Sequence, residues 1–255
     1  MKFYKWERFK DIVAVTTLRT DGSSSFPYAT NNLAFHVGDD EEHVRANREK
    51  TFKALKIKAN KIALTYQSHS DVTLEVKLKD GGRGFHAFED GIVADALYTK
   101  EKNLFLGVYH ADCVPVFVYA PESKIVGVIH AGEEGSIKNI TGKFLETLIK
   151  KEKVDPQKVY ALIGPSLSFS YRIITEEQAI EYANLGGDIA RAIKATSGKY
   201  FIDLPLLNFL QLRRLGVPVQ NIDLSDECTY MQDDIYFSYA KAKTTGRNLS
   251  LIKLS

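Results

Sequence analysis

The 255-residue sequence predicts a single body of mixed α/β or α+β class, one domain over residues 1–255. Three observations predict it. Strand-like and helix-like patterns alternate from end to end. Three nearly continuous apolar runs, Leu104–His110, Val114–Tyr119 and Ile125–His130, follow one another closely, as in a sheet covered on both faces. No Pro/Gly/Ser-rich linker, internal repeat or low-complexity tract divides the chain. With 44% hydrophobic residues the chain can bury an ample core.

The elements are read in order. A first strand is expected over Ile12–Leu18, followed by a turn-rich loop from Thr20 to Asn32 that holds Asp21-Gly22 and Pro27. Asp39-Asp40 can cap a helix running to Lys56, with Val44, Phe52 and Leu55 on one face. Strands are expected at Ile62–Tyr66 and Val72–Leu78, and Gly81-Gly82-Arg83-Gly84 is a loop. After the three apolar runs come a helix over Ile137–Lys151 and a strand at Val159–Ile163. Helices follow at Glu176–Ala183, Asp188–Ala195 and Leu204–Leu215, then short strands at Ile222–Leu224, Ile235–Ser238 and Leu249–Lys253.

Composition narrows the function classes. Lys plus Arg number 34 and Asp plus Glu 32, so a net charge of +2 gives no argument for a nucleic-acid partner. No apolar run approaches the roughly 18 residues of a membrane helix, so no membrane partner is expected. Charges appear at once in Met1-Lys2-Phe3-Tyr4-Lys5-Trp6, without the apolar stretch of a secretory signal. Two cysteines make no disulfide framework, and a reducing, cytoplasmic setting is expected. Oligomeric state is not legible.

Three residues carry candidate chemistry, each at the end of an expected strand, where sites are commonly built. Cys113 lies in the turn Ala111-Asp112-Cys113-Val114-Pro115, His130 closes the third apolar run, and His69 ends Tyr66-Gln67-Ser68-His69. If the ends converge, two imidazoles and a thiolate meet, a borderline-soft donor set suited to zinc that leaves a fourth position open for water. Neither interval between them is a local zinc signature. The alternatives are a buried, inert Cys113 with hydrogen-bonded histidines, or a metal-free Cys113–His130 nucleophile–base dyad. His110, three residues before Cys113, could replace one ligand.

Several blocks in fixed order carry a resemblance. Arg19-Thr20-Asp21-Gly22 is followed by Asn32-Leu33, His36-Val37-Gly38-Asp39-Asp40 and Asn47-Arg48. Gln67-Ser68-His69, Ala94-Asp95-Ala96 and Ala111-Asp112-Cys113-Val114-Pro115 come next. His130-Ala131-Gly132, Ile163-Gly164-Pro165, Phe237-Ser238-Tyr239 and Thr245-Gly246-Arg247 complete the set. From Arg19 to the C-terminus the chain resembles the bacterial purine nucleoside phosphorylase family first described as laccase-like polyphenol oxidases and also as peptidoglycan editing factors. The resemblance implies an α+β fold of mixed sheets packed between helices, in α/β/β/α-like layers. It implies an intracellular zinc enzyme whose ligands map onto His69, Cys113 and His130, also the catalytic candidates. It implies phosphorolysis of adenosine, inosine, guanosine or methylthioadenosine, with adenosine deamination as a side activity. For the partners of such chemistry, a purine nucleoside and phosphate, Arg19 and Arg48 are the candidate phosphate contacts and Asn32 a candidate ribose or base contact. Asp95 and Asp112 are either turn residues or partners that orient a ligand histidine.

The chain departs from the family pattern in three places. Glu133-Glu134 stand where Trp-Arg is usual, which suits a helix N-terminus but would repel phosphate there. Ala240-Lys241 replace an Arg-Arg pair. Ser70 replaces the glycine after the first ligand, and Arg172 follows Tyr171 where an acidic residue is usual. The editing-factor description motivates one other reading, a cell-wall precursor-editing amide hydrolase using zinc or a Cys113 nucleophile; the departures at Glu133-Glu134 and Ala240 motivate a second, a zinc-bearing binding protein without catalysis.

Overall fold

The three apolar runs become the centre of two facing sheets in the computed structural model, which describes residues 1–255. The strands are β1 (Phe3–Lys5), β2 (Ile12–Thr17), β3 (Ile62–Tyr66), β4 (Thr73–Glu75), β5 (Ile92–Val93), β6 (Ala96–Thr99), β7 (Phe105–His110), β8 (Val114–Ala120), β9 (Ile125–Ala131), β10 (Tyr160–Ile163), β11 (Ile173–Ile174), β12 (Ile193–Thr196), β13 (Lys199–Ile202), β14 (Ile222–Leu224) and β15 (Asn248–Leu254). The helices are α1 (Glu41–Ala54), α2 (Glu133–Ile137), α3 (Ile140–Glu152), α4 (Glu176–Leu185), α5 (Gly187–Ala192) and α6 (Leu204–Arg214). One sheet has the order β1-β2-β15-β7-β3-β5 and the other β14-β10-β8-β9-β6-β4, with a small β11-β13-β12 sheet beside them.

The layering follows from which faces are apolar. Leu106, Val108 and Ile252 of the first sheet meet Phe117, Val126 and Val128 of the second in the inter-sheet core. The first sheet's outer face buries Ile62, Leu64 and Leu251 with Phe52 of α1. The second sheet's outer face packs Val116, Val118 and Ile129 with Phe144, Leu145 and Leu148 of α3 and Leu207 of α6. The α/β/β/α order of the expected α+β fold is thus present, with both sheets mixed in strand direction. Each fully buried Leu, Val or Phe contributes about 1.5–3 kcal/mol to that packing. The sheet and α3 approach closely only because residue 127 lacks a side chain, as a Cβ there would lie 2.3 Å from Phe144 Cζ.

Local signals act as read for α1, where the Asp40 carboxylate accepts from Glu42 N and His43 N while Glu41 and Glu42 occupy the first turn. Other expectations are corrected. The helix expected over Ile137–Lys151 begins at Glu133 and breaks at Asn139, whose φ of +65° divides α2 from α3. The helix expected over Asp188–Ala195 stops at Ala192, and β12 pairs with β13 across Ser197-Gly198, where both φ values are positive. That two-residue hairpin turn outweighs the helical bias of the alanines before it. The strand expected at Ile235–Ser238 is irregular: the Asn248 side chain, not a neighbouring strand, bonds both Phe237 N and Phe237 O, each at 3.0 Å.

Candidate metal centre

Strands β3 and β7 run parallel, Ile62 opposite Phe105, so both finish at one end of the molecule. There Ala111–Cys113 carries the chain from the first sheet to the second. Strand β8 then starts beside the end of β9, Pro115 facing His130. His69 lies three residues past β3. The topology therefore converges residues distant in sequence, and His69, Cys113 and His130 each present a donor atom, all within 4.8 Å of one another. His69 is exposed, Cys113 half-buried and His130 buried, so the group opens to solvent on one side.

Two carboxylates hold this geometry. Asp95, fully buried just before β6, accepts from His130 Nδ1 at 2.8 Å and from the amides of Ser68, His69 and Ser70 at 3.2, 3.2 and 2.7 Å. The three amides around one carboxylate hold His69 at a φ of +58°, a left-handed conformation that a histidine seldom takes. Ser70 Oγ also donates to Asp95, at 2.7 Å, so the residue that departs from the family's glycine supports the loop. Binding at Nδ1 leaves His130 Nε2 as the ring's metal-facing atom. Asp112, at a φ of +91°, is fixed by Thr229 Oγ1 at 2.7 Å and by the amide of Ala240, and it anchors the Cys113 turn.

Electrostatics favours a thiolate. Burial opposes ionisation of Cys113, but the charge of His130, hydrogen bonds from His130 and His69, and the charge of Arg172 outweigh it and bring the thiol down to about 5. Burial likewise opposes a charge on His130, yet the Cys113 thiolate and the Asp95 carboxylate push it up to about 9. Asp95 pays for its burial with the His130 and Ser70 bonds, which keep its carboxyl below the usual range. In metal-free protein, alkylation of Cys113 by iodoacetamide is therefore expected to stay nearly flat from pH 8 to pH 6. It should fall only as the pH drops through about 5, where an ordinary thiol loses about tenfold per unit below pH 8. Mass-spectrometric labelling rates check this.

The group lies in a cleft of about 470 Å³. Its walls include His36, Phe88, Tyr109, His110, Tyr239 and Arg247. The Phe88 and His36 rings pack together with centroids 3.8 Å apart and planes tilted by 32°, forming an aromatic surface. Arg247 spends Nη1 on the carbonyls of Thr245 and Gly246 and has no protein partner at Nη2 or Nε. The sequence reading selected neither this aromatic wall nor Arg247 as contacts; Thr245-Gly246-Arg247 was visible as a block, but its direction was not.

The three candidate substrate contacts are outside the cleft lining. Arg19 gives its guanidinium to Ala29 O and Asp233 O and lies over the Phe237 ring. Arg48 is buried and donates to Leu33 O, Gly84 O, Phe85 O and Tyr109 Oη. Asn32 is buried, bonds Asp39 at 2.9 Å, and accepts from Arg247 N at 3.0 Å. Two of them thus reach the cleft through residues that line it, Tyr109 and Arg247.

The departures at 133 and 172 meet in space. Glu133 accepts from Arg172 Nη1 at 3.3 Å and Tyr182 Oη at 2.9 Å, while Glu134 pairs with Lys138 at the surface. The new acid and the new base neutralise each other.

Gly132 leaves room for the metal group. A Cβ there would stand 2.8 Å from His69 Cδ2 and 3.3 Å from Cys113 Sγ, while its φ of −69° suits any residue. Gly132→Ala is expected to displace His69 and lower metal affinity at least about tenfold, with folding little changed. Competition with a metal chelator, alongside thermal melting, measures both.

Fold and site define a double-sheet protein with a candidate metal centre of two histidines and one cysteine. The chain belongs to the family whose model is described as multi-copper polyphenol oxidoreductase laccase, which matches residues 13–255. It is 32% identical over 247 residues to purine nucleoside phosphorylase YlmD of Bacillus subtilis, covering 95% of this chain and 88% of the relative. It is 34% identical over 251 residues to a purine nucleoside phosphorylase of Corynebacterium glutamicum, covering 97% and 96%. Among solved structures, the Bacillus licheniformis hypothetical protein YfiH aligns with a TM-score of 0.94 at 30% identity over 99% of this chain and 96% of that one. YlmD of Geobacillus stearothermophilus aligns at 0.90 and 30%, covering 98% and 94%.

Proposed function

We propose that this chain is a zinc-dependent purine nucleoside phosphorylase, with adenosine deamination as a side activity. The observation that carries the reading is the convergence of His69, Cys113 and His130 in a cleft with an aromatic wall and a partly free arginine. The relatives' names support the same chemistry. Two imidazoles and a thiolate suit zinc with one position left open, and the cleft lining contains no methionine of the sort that completes a copper electron-transfer site. Zinc, when bound, supplies a Lewis acid and lowers the pKa of bound water towards neutrality.

The chain's own residues divide the remaining work. The Phe88–His36 surface receives the flat purine by stacking. Arg247 meets the phosphate with its free N–H groups, and Asn32 holds the Arg247 backbone in place. Arg48 supports the wall through Tyr109, while Arg19 ties the 29 and 233 segments together away from the cleft. Phosphorolysis then needs phosphate aimed at the anomeric carbon and stabilisation of the oxocarbenium-like state.

The test is a mass-spectrometric screen of adenosine, inosine, guanosine and methylthioadenosine on protein of measured zinc content. Free base and the sugar 1-phosphate (ribose 1-phosphate, or 5-methylthioribose 1-phosphate from methylthioadenosine) should form only when phosphate is present, and inosine should form from adenosine at a lower rate. Absence of base release from all four nucleosides would sink the phosphorylase reading.

The lowered Cys113 thiol beside His130 favours one second reading, an amide hydrolase with Cys113 as nucleophile. It predicts that metal-free protein keeps activity on a cell-wall precursor amide and loses it on alkylation of Cys113.

A further inference from the structure

His110 ends β7 and lines the cleft, yet it is only 2% exposed and its Nδ1 has no partner. Its other ring nitrogen, Nε2, lies 2.9 Å from Ser250 Oγ, and Ser250 Oγ lies 2.8 Å from Thr16 Oγ1. Ser250 and Thr16 are opposite each other on paired strands, both fully buried, and neither hydroxyl has another partner.

The protons of this chain can be counted. If His110 carried its proton on Nε2 and gave it to Ser250, one of the two hydroxyl protons would be stranded in the core without an acceptor, at a cost of about 1–3 kcal/mol. If Thr16 donates to Ser250 and Ser250 donates to His110 Nε2, both hydroxyl protons are spent. The imidazole proton then sits on Nδ1. Burial, with the charges of His130 and Arg247, holds the ring neutral by lowering its pKa to about 3. His110 is thus a neutral ring whose one N–H has nothing in the protein to bond.

Arg247 is its neighbour. Asn248 of β15 is paired with His110, and Arg247, the residue just before that strand, lines the same cleft. A cation with free N–H groups beside a neutral N–H donor suits an oxyanion. We propose that His110 Nδ1–H and Arg247 together form the subsite for inorganic phosphate, with His110 held in the donor tautomer by the Thr16–Ser250 pair. This deepens, and rests on, the phosphorylase reading.

Two substitutions separate donation from packing. His110→Gln keeps a polar atom near Nε2 for Ser250 but loses the donor at the Nδ1 position; His110→Asn keeps a donor near Nδ1 and loses the Ser250 contact. With zinc-loaded protein, His110→Gln is expected to raise the KM for phosphate by about tenfold or more, the worth of one hydrogen bond to a charged acceptor, and to leave the KM for nucleoside within about twofold. His110→Asn should have a clearly lower KM for phosphate than His110→Gln. Equal effects of the two variants, or a change confined to the nucleoside KM, would overturn the assignment.

Titration of inorganic phosphate by calorimetry, without nucleoside, keeps the two claims distinct. Weaker phosphate binding in His110→Gln supports the subsite even if no nucleoside is cleaved. Phosphorolysis with unaltered phosphate binding in that variant removes the subsite and leaves the phosphorylase reading standing. Should both variants fold poorly, nitrogen-15 NMR of the wild-type ring decides: the proton must be on Nδ1, and that resonance must move on adding phosphate. A proton on Nε2 overturns the proposal.

Discussion

For the zinc phosphorylase proposed above, Cys113→Ser is expected to reduce bound zinc from about one per chain to below about 0.1 after dialysis, and to cut phosphorolysis at least about 100-fold. A hydroxyl matches the thiol in shape but stays protonated near neutral pH, so the site loses its one anionic donor. Because Cys113 is in a turn held by Asp112, Thr229 and Ala240 rather than by its own sulfur, the fold should persist. Elemental analysis, circular dichroism and the nucleoside assay on one preparation read all three effects. Unchanged zinc content would remove Cys113 from the ligand set and the proposed centre with it.

Asp95→Asn is expected to be more damaging to stability than Cys113→Ser. The carboxylate serves His130 and the 68–70 amides together, and an amide has one accepting oxygen where two are needed. Breaking such a buried pair costs about 3–5 kcal/mol, and loss of the partner that orients a ligand histidine lowers metal affinity about 10–100-fold. Denaturant unfolding of metal-free protein checks the first figure and chelator competition the second. The sign of the pH dependence follows from His130. Its pKa in the folded protein is raised to about 9, so its stabilising contribution is full below its unfolded value near 6.5. It is lost as pH rises through about 9. The stability gap between wild type and Asp95→Asn should therefore narrow above that pH. A gap that stays constant up to pH 10 would mean that the His130 charge adds nothing to the pair.

Much of the outline was legible because local rules dominated there. Strand β3 has the bounds expected for it, and α1 lies within the span expected from its Asp40 cap. The three apolar runs became β7, β8 and β9 because a sheet buried on both faces needs no polar alternation. Where the reading failed, a contact distant in sequence had overruled a local tendency. Asn248 replaces a strand partner for Phe237, and β13 turns Ile193–Thr196 from helix to strand. The short β6 is not legible because four residues give too little periodicity, although the preceding Asp95 holds the candidate metal centre together.

The amino-acid order by itself determined the class of fold, the alternation of its elements, and the residues capable of metal chemistry, because these depend on side-chain type and short-range pattern. Only the tertiary structure decided that His69, Cys113 and His130 face one another, that Asp95 orients them, and that Arg247 rather than Arg19 or Arg48 lines the cleft. Direction is the physical reason: whether a side chain points into a cleft or into a neighbouring carbonyl is set by strand pairing across the two sheets, and no stretch of a few residues contains that information.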